Sequence, residues 1–157
     1  MSSYAKYNTI GVEQNSNTPT NSSVYEIKNL QERRNFIKNN PIVVIDYFTE
    51  WCGPCKSIAP QYMELALKYK NMGVVLLKEN ADKKIGDYPK PIKSVPVFHF
   101  YSLGHVRNEL TVNGGTIEQI ENNIQLLINE LTNSNISTTN MQQHPSSHIR
   151  NYHNKNI

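Results

Sequence analysis

The run IVVIDYF at residues 42–48 constrains this chain more than any other segment. Every position but Asp46 is β-branched or aromatic. A strand with one wet face alternates apolar and polar residues, whereas a near-continuous run has no face to give to water and needs cover on both sides. VVLLKEN (74–80) and VPVFHFY (95–101) repeat the pattern. Helical stripes lie between and after these strands. Ile58, Ala59, Tyr62, Leu65, Ala66 and Tyr69 share one face of a helix running from Pro54 to Tyr69, which Pro60 should kink. Ile117, Ile120, Ile124, Leu127, Ile128 and Leu131 form the stripe of a last helix, opened by a Thr116/Gln119 capping box. VYEIKN (24–29) predicts a short strand, LQERRNFIKNN (30–40) a helix stopped before Pro41, and HVRNELTV (105–112) a weak edge strand. The order β-α-β-α-β-β-α is that of an α/β fold, a central mixed sheet with helices on both faces.

These elements occupy residues 23–131. Segments 1–22 and 132–157 are rich in Asn, Ser, Thr, Gln and His without periodicity. They are expected to be disordered polar tails, because they hold too little apolar surface to offset chain entropy. The chain carries a net charge of +3, and residues 23–131 hold 13 Lys/Arg against 12 Asp/Glu. That balance gives no electrostatic case for nucleic acid or a membrane surface. With no signal-peptide pattern and no apolar run near ~18 residues, a soluble, cytoplasmic protein is expected.

The chemistry-bearing stretch is EWCGPCK (50–56), which holds both cysteines and the only tryptophan. As a structural staple, Cys52 and Cys55 close too small a loop to remove much unfolded-state entropy, and a cytosolic chain keeps such thiols reduced. As a zinc site they supply two ligands where four are usual, and His99, His105, His144, His148 and His153 show no paired ligand spacing. A redox pair has positive support. A Cys-X-X-Cys that follows a buried strand and opens a helix sets its first sulfur at the helix N-terminus, where free N–H groups and the dipole favour thiolate. Cys52 is then the nucleophile and Cys55 the resolving thiol.

WCGPCK resembles, residue for residue, the active-site sequence of the thioredoxin family, and the resemblance extends over 24–131. It implies a thioredoxin-like fold and further roles. Asp46, six residues before Cys52, matches the buried acid that helps move the proton of the second cysteine; a charge inside IVVIDYF is rarely placed without reason. Pro60 matches the kink proline of the active-site helix. Pro96 in SVPVF matches the proline preceded by a cis peptide bond, here after Val95, and belongs at a strand start. Lys78 falls near the lysine beside the buried acid. Trp51 shields the site and, with Val95 and Pro96, lines a substrate groove. Gly53 and Pro54 match the reductase choice between the cysteines rather than the Gly-His of disulfide isomerases.

The implied activity is protein-disulfide reduction by dithiol exchange in cell redox homeostasis. It needs neither organic cofactor nor metal. The implied partners are disulfide-containing proteins and an electron-donating reductase such as thioredoxin reductase, with the chain acting as a monomer. Two rivals stand beside this reading. One is a disulfide oxidase or isomerase on the same fold. The other is an interaction or virion-associated module with little turnover, whose location would follow from a viral origin. Departures from the family pattern are Phe48 for a common tryptophan, Val97 for the usual threonine after the cis proline, and Gly114, which matches a groove glycine only with a one-residue shift. Pro89 and Pro91 interrupt ADKKIGDYPKPIKS (81–94) where the family runs a short helix. Lys83, Lys84, Lys90 and Lys93 there form a positive rim, which either keeps the loop soluble or, on a sharper reading, steers acidic partners.

Overall fold

The computed structural model describes residues 24–140, so the segments 1–23 and 141–157, and with them the expected N-terminal tail at 1–22, lie outside the described residues. The elements are β1 (Tyr25–Ile27), α1 (Leu30–Asn39), β2 (Ile42–Phe48), α2 (Gly53–Tyr69), β3 (Val74–Asn80), β4 (Val97–Ser102), β5 (His105–Val106), β6 (Val112–Asn113) and α3 (Ile117–Asn140). The domain boundary drawn at 131 falls inside α3, which continues to Asn140.

One six-stranded sheet runs β1-β3-β2-β4-β5, with β6 also on β4. β2 is central: it pairs parallel with β3 and antiparallel with β4. Ile42 to Tyr47 are all buried, as a run without a polar face requires. The pleat divides them. Ile42 and Val44 pack with Ile58, Tyr62 and Leu65 of α2 and Ile120, Ile124 and Leu127 of α3. Val43, Ile45 and Tyr47 face the other way, toward Phe36 and Ile37 of α1. Ala59, expected on the α2 stripe, is exposed instead. The Tyr62 hydroxyl, at the middle of α2, lies 3.1 Å from the Val44 carbonyl and 2.9 Å from that of Leu77, fastening the helix to β2 and β3.

Caps follow the sequence signals. The Thr116 N–H donates to Gln119 Oε1 at 3.1 Å and the Gln119 N–H to Thr116 Oγ1 at 3.4 Å, the reciprocal pattern that opens α3. At α1 the Glu32 N–H donates to Asn29 Oδ1 at 2.9 Å, while the Glu32 carboxylate accepts from the Lys28 N–H at 2.9 Å, one residue before the cap. Two expectations change. β4 starts at Val97 rather than residue 95, because Pro96 has no N–H to give a ladder. The single edge strand over 105–112 is instead two short strands separated by a 3-10 turn at Asn108–Leu110. A tight turn with positive φ at Leu103 and Gly104 folds β5 back onto β4.

Between β3 and β4, only Ala81–Lys83 is helical, as a 3-10 turn, and 84–96 is irregular. A buried ion pair holds this long connection. Arg33 of α1 and Glu79 of β3 are 2% and 0% exposed, and Arg33 Nη1 donates to both Glu79 oxygens at 3.0 Å. Its Nη2 donates to the carbonyls of Gly86 and Asp87, and the guanidinium lies over the Tyr88 ring. The fork thus spends one arm on a carboxylate and the other on loop backbone, a geometry lysine cannot reproduce. Arg33→Met should cost about 3–5 kcal/mol in urea unfolding, because Glu79 would remain buried without its partner. The double variant Arg33→Met/Glu79→Leu should recover most of that loss.

Candidate functional site

The parallel register of β2 and β3 ends at Phe48 opposite Asn80, and β4 begins where β2 ends, with Tyr47 opposite Val97. One end of the sheet therefore gathers the segment after β2, the segment after β3 and the segment before β4. These carry Trp51 to Cys55, Asp82, and Val95-Pro96.

Cys52 is the N-cap of α2, and its Sγ accepts a hydrogen bond from the Cys55 N–H at 3.2 Å. Gly53 and Pro54 fill the first turn, where proline's missing N–H has no intrahelical partner to lose. The two cysteines are joined in a disulfide with Cα atoms 5.3 Å apart, and each is 4% exposed. A Cβ added at Gly53 would meet nothing within 4 Å, so this glycine leaves the surface beside Cys52 bare rather than relieving a clash. Trp51 stands 74% exposed next to the disulfide, its Nε1 donating to Asp82 Oδ2 at 3.1 Å. Asp82 has no role in the sequence reading. The strand register could have found it, since Trp51 is three residues past Phe48 and Asp82 two past Asn80, and those two residues pair.

Asp46 is buried at 4% exposure, and its Oδ1 has no hydrogen-bond partner. It shares pleat parity with Ile42 and Val44, so it faces the side of the sheet covered by α2. Burial pushes its carboxyl up to about 7, with the Lys78 ammonium on the neighbouring strand pulling the other way. Lys78 does lie opposite Asp46 in the β2–β3 register. Its ion pair, however, is with Glu26 at 3.8 Å, and its Nζ sits 5.1 Å over the Phe48 ring. Lys78 therefore acts on Asp46 only through its field.

The Val95–Pro96 peptide bond is cis, Pro96 is buried and Val95 half-buried. The Gly114 N–H donates to the Pro96 carbonyl at 2.8 Å, fixing the proline loop to the end of β6. Gly114 has φ +58, a backbone conformation that a side chain resists, so the shifted glycine match has a structural task here. The lysine rim is reduced: Lys83 bonds Glu26 at 3.0 Å, leaving Lys90 and Lys93 as the cations nearest the proline loop in sequence. Among the described residues, no group of three or more His, Cys, Asp or Glu side chains could hold a metal ion, and no helix is long and apolar enough to cross a membrane.

The profile of the Thioredoxin family matches residues 24–126. The chain is 44% identical over 70 residues to chloroplastic thioredoxin F2 of Arabidopsis thaliana, covering 45% of this chain and 38% of that protein. It is 38% identical over 86 residues to thioredoxin 1 of Plasmodium falciparum, covering 54% and 81% respectively. The oxidised crystal structure of mitochondrial thioredoxin 3 from Saccharomyces cerevisiae superposes with a TM-score of 0.58 at 30% identity, over 66% of this chain and 94% of that one. The match spans only part of several relatives, 38% of the length of thioredoxin-like protein 1 of Schizosaccharomyces pombe and 54% of Drosophila melanogaster thioredoxin-T. On the family match, the shared fold and the Cys-Gly-Pro-Cys pair at the head of α2, this chain belongs to the thioredoxin family.

Proposed function

We propose that the protein is a protein-disulfide reductase working by dithiol exchange. The observation that carries the reading is the Cys52–Cys55 disulfide at the N-terminus of α2, beside an exposed tryptophan, on a helix that covers the sheet face holding the buried Asp46. In the reduced protein the Cys55 N–H and the helix dipole favour a thiolate at Cys52. That thiolate attacks one sulfur of a target disulfide. A mixed disulfide forms, and the target's other sulfur leaves as a thiolate that takes a proton from water. Cys55 gives its proton to Asp46, and its thiolate attacks Cys52 Sγ. The intermolecular bond breaks, the second target sulfur leaves reduced, and Cys52–Cys55 is oxidised by two electrons.

Asp46 suits the proton step, because a carboxyl titrating about 7 is poised near the working pH. Trp51, Val95 and Pro96 form the surface on which the target lies. The exchange uses no organic cofactor and no metal. Electrons return from a reductase of the thioredoxin reductase type, and the reducing direction fits a monomer working in a cytoplasmic setting.

Insulin reduction tests the assignment. Cys52→Ser should abolish it. Cys55→Ser should accumulate mixed disulfides with target proteins on non-reducing gels, while Cys52→Ser accumulates far fewer. Equal trapping by both variants would reverse the roles of the two thiols.

The raised Asp46 carboxyl also sets the pH dependence of stability. Unfolded, an aspartate titrates near 3.8, and folded it titrates at about 7. The native state therefore holds the extra proton between those values, and stability falls as pH rises through that window. Each unit of displacement is worth about 1.4 kcal/mol, so several kcal/mol are at stake. Asp46→Asn should flatten this slope and be more stable than wild type at pH above the window in urea unfolding. It should also slow turnover at the resolving step.

A further inference from the structure

We propose that the cavity beside the proline loop, on the sheet face away from α2, binds an oxyanion. The cavity holds about 220 Å³, and the irregular segment 84–96 contributes Lys90, Pro91, Lys93 and Ser94 to its wall. Its lining includes Lys90, Lys93, Ser94, His99, Thr111 and Asn113. No aspartate or glutamate lines it. The two ammonium groups donate only, and the hydroxyls and amide have protons to add, so the lining as a set seeks an acceptor. At 220 Å³ the space far exceeds the ~30 Å³ share of one liquid water, leaving room for a tetrahedral ion.

The second observation is His99. It is 2% exposed, lines the cavity, and its Nδ1 has no hydrogen-bond partner. A buried polar atom left unpaired is costly. Burial, with the charges of Lys90 and Arg33, holds the imidazole down at about 4, so near neutral pH it is uncharged with its proton on one nitrogen. An uncharged imidazole leaves Lys90 and Lys93 as the charges that an anion in the cavity would meet. Among the described residues, the Lys90 ammonium has only a long 3.5 Å contact, to the Asn108 carbonyl. Glu109, the acid whose charge Lys90 feels, lies outside the lining and is bonded by Arg107 at 2.6 Å. Ser94 leads directly into Val95-Pro96, and Val97 pairs with Asn113, so the site adjoins the loop on which a target disulfide would lie. The proposal stands on the cavity alone and does not need the redox reading.

The test uses the full chain and inorganic phosphate at fixed pH and ionic strength, exchanged for chloride. The His99 ring resonances should shift saturably in NMR, and binding should weaken about tenfold or more in Lys90→Gln/Lys93→Gln, a factor worth about 1.4 kcal/mol. Both lysines are exposed, so this variant should fold, with resonances away from the cavity matching those of wild type. A linear shift, the same shift with chloride, or equal binding by the lysine variant would overturn the site and leave the redox assignment untouched. The source of the oxyanion is then read from reduction of an acidic disulfide peptide and its Gln-substituted twin. If phosphate raises KM for the acidic peptide alone, a target carboxylate occupies the site. If saturable phosphate binding changes neither KM, the ligand is a free oxyanion.

Discussion

The pairing of β2 with β3 on one side and β4 on the other is the constraint from which the remaining geometry follows. It sets Ile42–Tyr47 at the middle of the sheet, where helices cover both faces, and fixes the register at both edges. Because β3 runs parallel and β4 antiparallel, three chain segments emerge at one end of the sheet. The disulfide with its tryptophan, the aspartate that holds the tryptophan and the cis proline loop are thereby brought together from three separate segments of the chain. The same pairing places Asp46 in the interior. An acid at the edge of this sheet would be solvated and titrate as an ordinary carboxyl; in the central strand it is desolvated and retains its proton into the neutral range.

The two faces of the sheet do different work. On the α2 side, Tyr62 bonds the helix to two strand carbonyls, and Asp46 faces the cover given by α2. This side carries the cysteine chemistry. On the α1 side, the Arg33–Glu79 pair replaces hydrophobic packing at the point where a long irregular connection must be held. A buried ion pair is weak evidence for net stability, since desolvation opposes attraction. Here its second arm meets backbone carbonyls of the loop, so it also specifies where residues 86–88 lie. The loop so positioned leaves the cavity lined by Lys90, Lys93 and His99.

The redox site was legible for a physical reason: its chemistry depends on local arrangement. Two thiols at i and i+3, at the start of a helix following a buried strand, need little long-range information to be recognised. The capping residues Thr116 and Gln119 were equally readable, because the bonds they make span one helical turn. Lys78 shows where such reading stops. Its place beside Asp46 was implied by the family resemblance, yet its long side chain turned to Glu26 on β1, a strand whose register the sequence does not encode locally.

What the sequence by itself determined is the set of elements and the chemistry at the head of α2. Burial patterns with periods of two and 3.6 residues report which faces must meet, and the Cys-Gly-Pro-Cys spacing reports which atoms can react. What only the tertiary structure decided are the contacts between segments far apart in the chain. The Trp51–Asp82 bond, the hold of Gly114 on Pro96, the Arg33 clamp and the orphaned nitrogen of His99 all belong to this group. Each depends on strand register and on the path of the connection between β3 and β4. Those are set by the packing of the whole sheet between its helices rather than by any local preference.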